Sequence, residues 1–233
     1  MNYTSIFFDS VINLLYPQLC LGCGSGRISG KQIICLDCAD ALPVTDFHLY
    51  RNNPAAKVFV GRIPVEHVSA HAYFNKHSVM QNLLHQLKYK GKKEIGLYFG
   101  RRMGEALKGC DKYNEIDALV PLPLFYKRER KRGYNQAAVL CEGISEIMNV
   151  PVFKNILVRK ENTATQTHKS REERWQNIEG KFELVNEEAV SGKHVLLVDD
   201  VLTTGATLEA CGRELLKAGN LKLSIATLAY TSL

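Results

Sequence analysis

Residues 195 to 207 read Val-Leu-Leu-Val-Asp-Asp-Val-Leu-Thr-Thr-Gly-Ala-Thr. Two adjacent carboxylates, Asp199 and Asp200, stand just before a short hydroxyl- and glycine-rich run: Thr203, Thr204, Gly205, Ala206 and Thr207. Such a turn, feeding a helix, gathers unpaired backbone N–H groups at the positive end of the helix dipole, where a phosphate binds. Gly205 lets the backbone approach the anion closely. The threonine hydroxyls add donors. The carboxylates repel a phosphate, but they suit the two hydroxyls of a ribose, or a Mg²⁺ near them.

A second chemistry lies near the start of the chain. Cys20-x-x-Cys23 and Cys35-x-x-Cys38 are separated by eleven residues. Each i, i+3 pair in a tight turn aims two thiolates at one point, and two such knuckles complete a tetrahedral Zn²⁺ shell. Four protein ligands leave no open position, so this zinc is structural. Residues 17 to 43 are too few to hold a core without it. Cys110, Cys141 and Cys211 stand alone in helical patterns and read as buried small apolar residues.

Cations cluster in two places. Lys127-Arg128-Glu129-Arg130-Lys131-Arg132 puts five of them in six positions, and Lys88, Lys90, Lys92 and Lys93 form the other group. Arg128, Arg130 and Arg132, with Gly133 beside them, are candidates for a second anionic group, because guanidinium gives bidentate contacts. Tyr89 reads as a partly buried packing aromatic ahead of the alternative, a wall of the ligand site. The polar stretch from Asn162 to Asn177 is long for a loop in a compact domain and suits a lid. Gln166, Arg171 and Arg174 are its candidate ligand contacts.

These pieces need a scaffold. Val195 to Val198 lacks the alternation of a half-wet strand and suits a parallel strand covered on both faces. The helix after the threonine turn carries Leu208, Cys211, Leu215 and Ala218 on one face, with Gly219 as its stop. Upstream, residues 67 to 74 read as a strand. A helix with Met80, Leu83, Leu84 and Leu87 follows, then another from about Glu94 to Lys108. Asp117 to Leu124 is a buried strand ending at two prolines. Asn135 caps a helix with Leu140, Ile144 and Ile147. Val152 to Val158 and Leu223 to Ala229 are further strands. Strand–helix–strand order implies right-handed crossovers and a parallel sheet.

The chain has 233 residues, 45% of them apolar, and a net charge of +6. No window is long and apolar enough for a membrane helix. Residues 1–16 carry Ile6, Phe7, Phe8, Val11, Ile12, Leu14 and Leu15 without a basic lead or cleavage site, so they read as a docking helix rather than a secretory signal. A cytoplasmic location is the default. The expected organisation is this helix, a zinc ribbon at 17–43, a linker at 44–64 and an α/β domain at 65–233.

The run from Asp199 to Thr207 resembles the phosphoribosyl-pyrophosphate (PRPP) fingerprint of the type I phosphoribosyltransferases. Taken with the paired Cys-x-x-Cys motifs, Lys88-Tyr89-Lys90-Gly91, Pro121-Leu122-Pro123, Arg130-x-Arg132-Gly133-Tyr134-Asn135-Gln136, Thr163-x-x-Gln166-Thr167 and Ser170-Arg171-x-x-Arg174-x-x-Asn177, it resembles the ComF family of competence-associated proteins. Lys169 departs from that pattern, standing where an apolar residue is expected. The resemblance implies a type I phosphoribosyltransferase-like parallel sheet flanked by helices, behind a small zinc ribbon. It implies PRPP as ligand, with its 5′-phosphate on residues 203–207, its ribose on Asp199 and Asp200, and Mg²⁺ between ribose and pyrophosphate. It also implies a part in single-stranded DNA uptake, alongside DNA-uptake proteins. A non-catalytic module that holds a nucleotide or single-stranded DNA on the same turn is the alternative.

Overall fold

The computed structural model describes residues 18–30, 32–159 and 181–231. The expected docking helix at 1–16 and the lid with Gln166, Arg171 and Arg174 lie outside these residues.

The elements follow from local signals. α1 (Leu36–Asp40) opens the second cysteine knuckle, with the Cys35 side chain accepting from the Cys38 amide. α2 (Pro54–Lys57) has Asn53 as its cap and proline in its first turn, where the missing N–H costs nothing. β1 (Val68–Tyr73) leads to α3 (Val79–Tyr89), which Ser78 caps, and then to α4 (Lys93–Lys108). β2 (Ala118–Pro121) is buried throughout and runs into α5 (Tyr126–Arg132), which buries no residue. α6 (Gln136–Met148) is capped by the Asn135 side chain, as expected. β3 (Leu157–Arg159) and β4 (Phe182–Leu184) form a separate antiparallel pair. β5 (His194–Leu202), α7 (Ala206–Leu215) and β6 (Lys222–Tyr230) complete the described chain.

Four strands form one sheet in the order β1-β6-β5-β2, and every pairing is parallel. β5 lies inside, so both of its faces are covered. Leu196 and Val198 point into one core with residues of α3, α4 and α6, while Val195 and Leu197 point into the other with residues of α7. That is why the run from Val195 to Val198 is uniformly apolar. Among the described residues, no helix is long and apolar enough to cross a membrane.

Three expectations change. Val152 to Val158 is not one strand: Val152 makes an isolated bridge to Leu119, and only Leu157 onward pairs, with β4. Asn155, at φ 68°, turns the chain between the two. α7 stops at Leu215 rather than at Gly219, and the left-handed turn residue is Asn220. The stretch 44–64 is packed rather than a slack linker. Phe47, Ala55, Phe59 and Ile63 lie in the α7-side core, and the buried Asn53 side chain donates to the carbonyls of Phe47, Tyr50 and Val68.

α4 and α6 cross almost backbone to backbone. A Cβ on Gly143 would stand 2.6 Å from the Leu97 carbonyl oxygen, and one on Gly100 would strike the Leu140 carbonyl. Backbone cannot swing aside as a side chain can. Gly143→Ala is therefore expected to lose about 1–3 kcal/mol of stability, read from the denaturant midpoint. Gly26→Ala, in open space, should stay within about 0.5 kcal/mol of wild type.

Candidate functional site

The C-terminal end of β5 places the acidic pair where the strand turns into α7, and open parallel sheets bind ligands at that edge. Among the described residues, the backbone amides from Thr203 to Leu208 have no backbone or side-chain acceptor; Glu209 is the first amide to enter the helical ladder, on the Gly205 carbonyl. Six N–H groups thus face one turn at the positive end of a helix dipole. Thr203 and Thr204 are exposed.

Gly205 is needed twice over. Its φ of 73° favours glycine, and a Cβ there would lie 2.6 Å from Val58 Cγ1 and 3.1 Å from Phe59 Cε1. The segment expected as a linker is therefore the wall on which the turn rests. Arg62, from the same segment, donates to the Thr204 carbonyl at 2.8 Å and to the Val58 carbonyl at 2.9 Å. It also pairs at 2.5 Å with Glu209, whose side chain is 4% exposed and is held from its other side by Arg213 at 2.8 Å. This network turns the Thr204 carbonyl toward protein. Sequence reasoning missed Arg62: it looks like an isolated surface cation in a region without periodicity.

The two carboxylates have different surroundings. Asp200 pairs with Lys88 from the last turn of α3, Nζ to Oδ1 3.1 Å. Asp199 accepts the Asp200 amide at 2.8 Å. Burial, reinforced by the charge of Asp200, pushes the Asp199 carboxyl up to about 8. In the sequence Lys88 belongs to a cation cluster and to the Lys88-Tyr89-Lys90-Gly91 motif, neither of which points to Asp200. Nothing local in a chain reveals that a helix end will meet a strand end from far along it.

Lys88 is also a wall of a cleft of about 380 Å³ that it shares with Tyr89, Arg128, Lys131 and Arg132. The structure thus brings Arg128 and Arg132 together and adds Lys88 and Lys131. Arg130 is exposed and does not line this cleft. Gly133 is the left-handed cap of α5, with its N–H donated to the Glu129 carbonyl at 2.7 Å, so its amide is committed and not free for an anion. Tyr89 is 65% exposed, with the Arg132 guanidinium 5.4 Å above its ring. It is a wall of the cleft and not a packing aromatic. The packing aromatic is Tyr134, whose hydroxyl donates to the Leu87 carbonyl.

At the other end of α3 the four cysteines meet. The sulfurs of Cys20, Cys23, Cys35 and Cys38 all lie within 4.8 Å of one another, and those of Cys23 and Cys35 are 3.8 Å apart. Ligands at the usual Zn–S distance of about 2.3 Å stand about 3.8 Å apart in a tetrahedron, so the set fits such an ion. The Cys35 and Cys38 amides donate to sulfurs of Cys20 and Cys35. The knuckle is docked on α3: Asn82 donates to the Gly22 carbonyl at 2.6 Å, and Gln86 donates to that of Leu21. Cys110, Cys141 and Cys211 are buried, as expected.

Residues 134–232 match the phosphoribosyl transferase domain family. Competence protein F of Haemophilus influenzae is 33% identical over 141 residues, covering 59% of this chain and 62% of that protein. DNA utilization protein YhgH of Escherichia coli is 28% identical over 233 residues, covering 94% and 99%. Competence protein ComFC of Bacillus subtilis is 32% identical over 148 residues, covering 63% and 57%. The chain therefore spans less than two thirds of competence protein F and of ComFC, and nearly all of YhgH. The parallel sheet with helices on both faces is a type I phosphoribosyltransferase-like fold.

The raised carboxyl has a consequence for stability. An unfolded aspartate titrates near pH 4, so between there and about 8 the folded state holds a proton that the unfolded state lacks, and stability falls as pH rises. Asp199→Asn removes that dependence. Its melting point relative to wild type should climb as pH goes from about 4 to about 8, and a gap constant across the series would refute a protonated Asp199.

Proposed function

Because the chain belongs to the ComF family of phosphoribosyltransferase-like proteins, we propose that it binds PRPP at the C-terminal end of β5, with transfer of phosphoribose to an acceptor as its chemistry. One observation carries the proposal: six free amides and an acidic pair stand at one strand end, beside a cationic cleft.

Each part of the ligand has a partner of matching chemistry. The amides of 203–207, with the Thr203, Thr204 and Thr207 hydroxyls, take the 5′-phosphate. The ribose hydroxyls meet Asp199 and Asp200. Their carboxyl oxygens accept from those hydroxyls. Arg128 and Arg132 take the pyrophosphate, whose departure leaves positive character on the sugar carbon. Cations already fixed in the cleft need no rearrangement as the leaving group gains charge. Asp199 and Asp200 are also the residues able to hold Mg²⁺, which supplies charge neutralisation at the pyrophosphate when bound. The cysteine set holds zinc as a structural ion. The chain works in the cytoplasm in this proposal.

Two exposed aromatics favour a second role. Tyr89 lies under Arg132, and Tyr126 has Lys127 5.7 Å from its ring centre. Rings interleaved with cations are the surface on which unstacked bases pack. The name of YhgH, DNA utilization protein, supplies the context of DNA handling. A non-catalytic strand-binding module would use this surface and leave the acidic pair idle.

Titration of Mg²⁺-PRPP into the full chain separates the two. Phosphoribosyl chemistry predicts binding heat, a thermal shift, and pyrophosphate release with a suitable acceptor base. Asp200→Asn should weaken PRPP by about tenfold or more and stop release with the fold intact. Absence of PRPP binding, together with single-stranded DNA affinity that falls steeply with salt and ignores Asp200→Asn, would establish the second role. For the metal, the purified chain should carry one zinc per molecule. Cys35→Ser should lose it together with several degrees of melting temperature, roughly 2–4 °C per kcal/mol for a chain of this size, and a metal-free wild type of equal stability would refute the ribbon.

A further inference from the structure

The motif Lys88-Tyr89-Lys90-Gly91 has no place yet in the ligand scheme. We propose that Lys88 is an exchangeable cation: it neutralises Asp200 in the empty site and passes to the pyrophosphate when the ribose takes that carboxylate. The proposal deepens the phosphoribosyl reading and rests on it.

The geometry favours exchange over a fixed ion pair. Lys88 Nζ is 3.1 Å from Asp200 Oδ1, with side-chain exposures of 24% and 14%. The same side chain lines the cleft with Arg128, Lys131 and Arg132. It therefore stands on the border between the ribose and pyrophosphate positions. A largely desolvated ammonium needs an anion. Among the described residues its ion-pair partner is Asp200. When hydroxyls, or a cation, claim Asp200, Lys88 must find another negative group, and the cleft is where one would be. A four-carbon stem with three rotatable donors makes that swing easy, whereas the forked Arg132 is tied to Gln136 at 2.6 Å. The helix end itself stays put, because the Tyr134 hydroxyl holds the Leu87 carbonyl.

Exchange also sets specificity. A ligand with ribose but no pyrophosphate strands Lys88. Pyrophosphate alone must pull Lys88 away from a competing carboxylate. A ligand with both satisfies both groups at once.

The test is calorimetry with three probes in metal-free buffer: PRPP, ribose 5-phosphate and inorganic pyrophosphate. Lys88→Gln should weaken PRPP by about 10- to 100-fold and leave ribose 5-phosphate unchanged or tighter. Equal weakening of both would make Lys88 a fixed neutraliser and overturn the proposal. If Lys88→Gln fails to fold, Asp200→Asn decides. By releasing Lys88 it should tighten inorganic pyrophosphate several-fold while weakening PRPP, and an unchanged or weaker pyrophosphate affinity overturns the exchange. Wild type that binds neither PRPP nor ribose 5-phosphate, with or without Mg²⁺, would instead remove the phosphoribosyl reading, and this assignment with it.

Discussion

The site depends on backbone amides that have no acceptor among the described residues. An N–H group without a partner is a liability anywhere else in a protein. At the first turn of α7 the liability is concentrated and held in shape. Gly205 lies against Val58 and Phe59 so closely that a single carbon would not fit. Arg62 binds the Thr204 carbonyl from the protein side. The turn is thereby kept from relaxing into a conformation that would use up its own donors. Glu209, buried between Arg62 and Arg213, fixes the arginine that fixes the turn. An ion pair this shielded contributes little net stability. Its value is geometric.

Charge is arranged around that turn in opposition. Two carboxylates side by side in a half-buried crevice cannot both ionise cheaply. The structure answers in two ways: burial keeps a proton on Asp199 to unusually high pH, and Lys88 balances Asp200. The cleft beyond Lys88 is cationic without a comparable set of acids. A ligand that is anionic at both ends and rich in hydroxyls between them resolves this imbalance better than a simple anion would.

Much of this was legible in the chain, for identifiable reasons. The strand–turn–helix at 195–215 is local, so a few adjacent residues specify it. The cap Asn135, the buried strand within 117–124 and the paired cysteine knuckles are local too. What escaped was non-local or irregular. The segment 44–64 has no periodicity, because it packs through scattered anchors such as Phe47, Asn53 and Phe59 rather than through one helical face. Its tie to the phosphate turn could not be inferred from composition. Gly96, Gly100 and Gly104 recur every fourth residue on α4, and all would clash with α6 if they carried a Cβ. That spacing is a signal of close helix contact that a sequence carries. Gly133 has cations around it in the sequence, which suits an anion contact, yet the left-handed cap of a short helix demands glycine just as strongly. Arg130 shows the same limit: a run of cations does not say which of them face inward.

The cysteine ribbon and the ligand site are parts of one lever. Asn82 and Gln86, on successive turns of α3, grip the carbonyls of Gly22 and Leu21 in the first knuckle. Lys88 and Tyr89 lie half a turn further along the same helix, where they reach Asp200 and the cleft. A helix is stiff over so short a distance, so the orientation set at the knuckle is delivered to Lys88 almost undiminished. Tyr134 pins the far end through Leu87, and Lys93 lies 5.1 Å from that tyrosine ring. An ion bound by four cysteines would thus act on the chemistry without touching it, by fixing the helix that carries the cation to the acidic pair. The cysteine module and the α/β body thus share α3: Met80, Leu83, Leu84 and Leu87 seat the helix in the core, and the first knuckle grips it through Asn82 and Gln86.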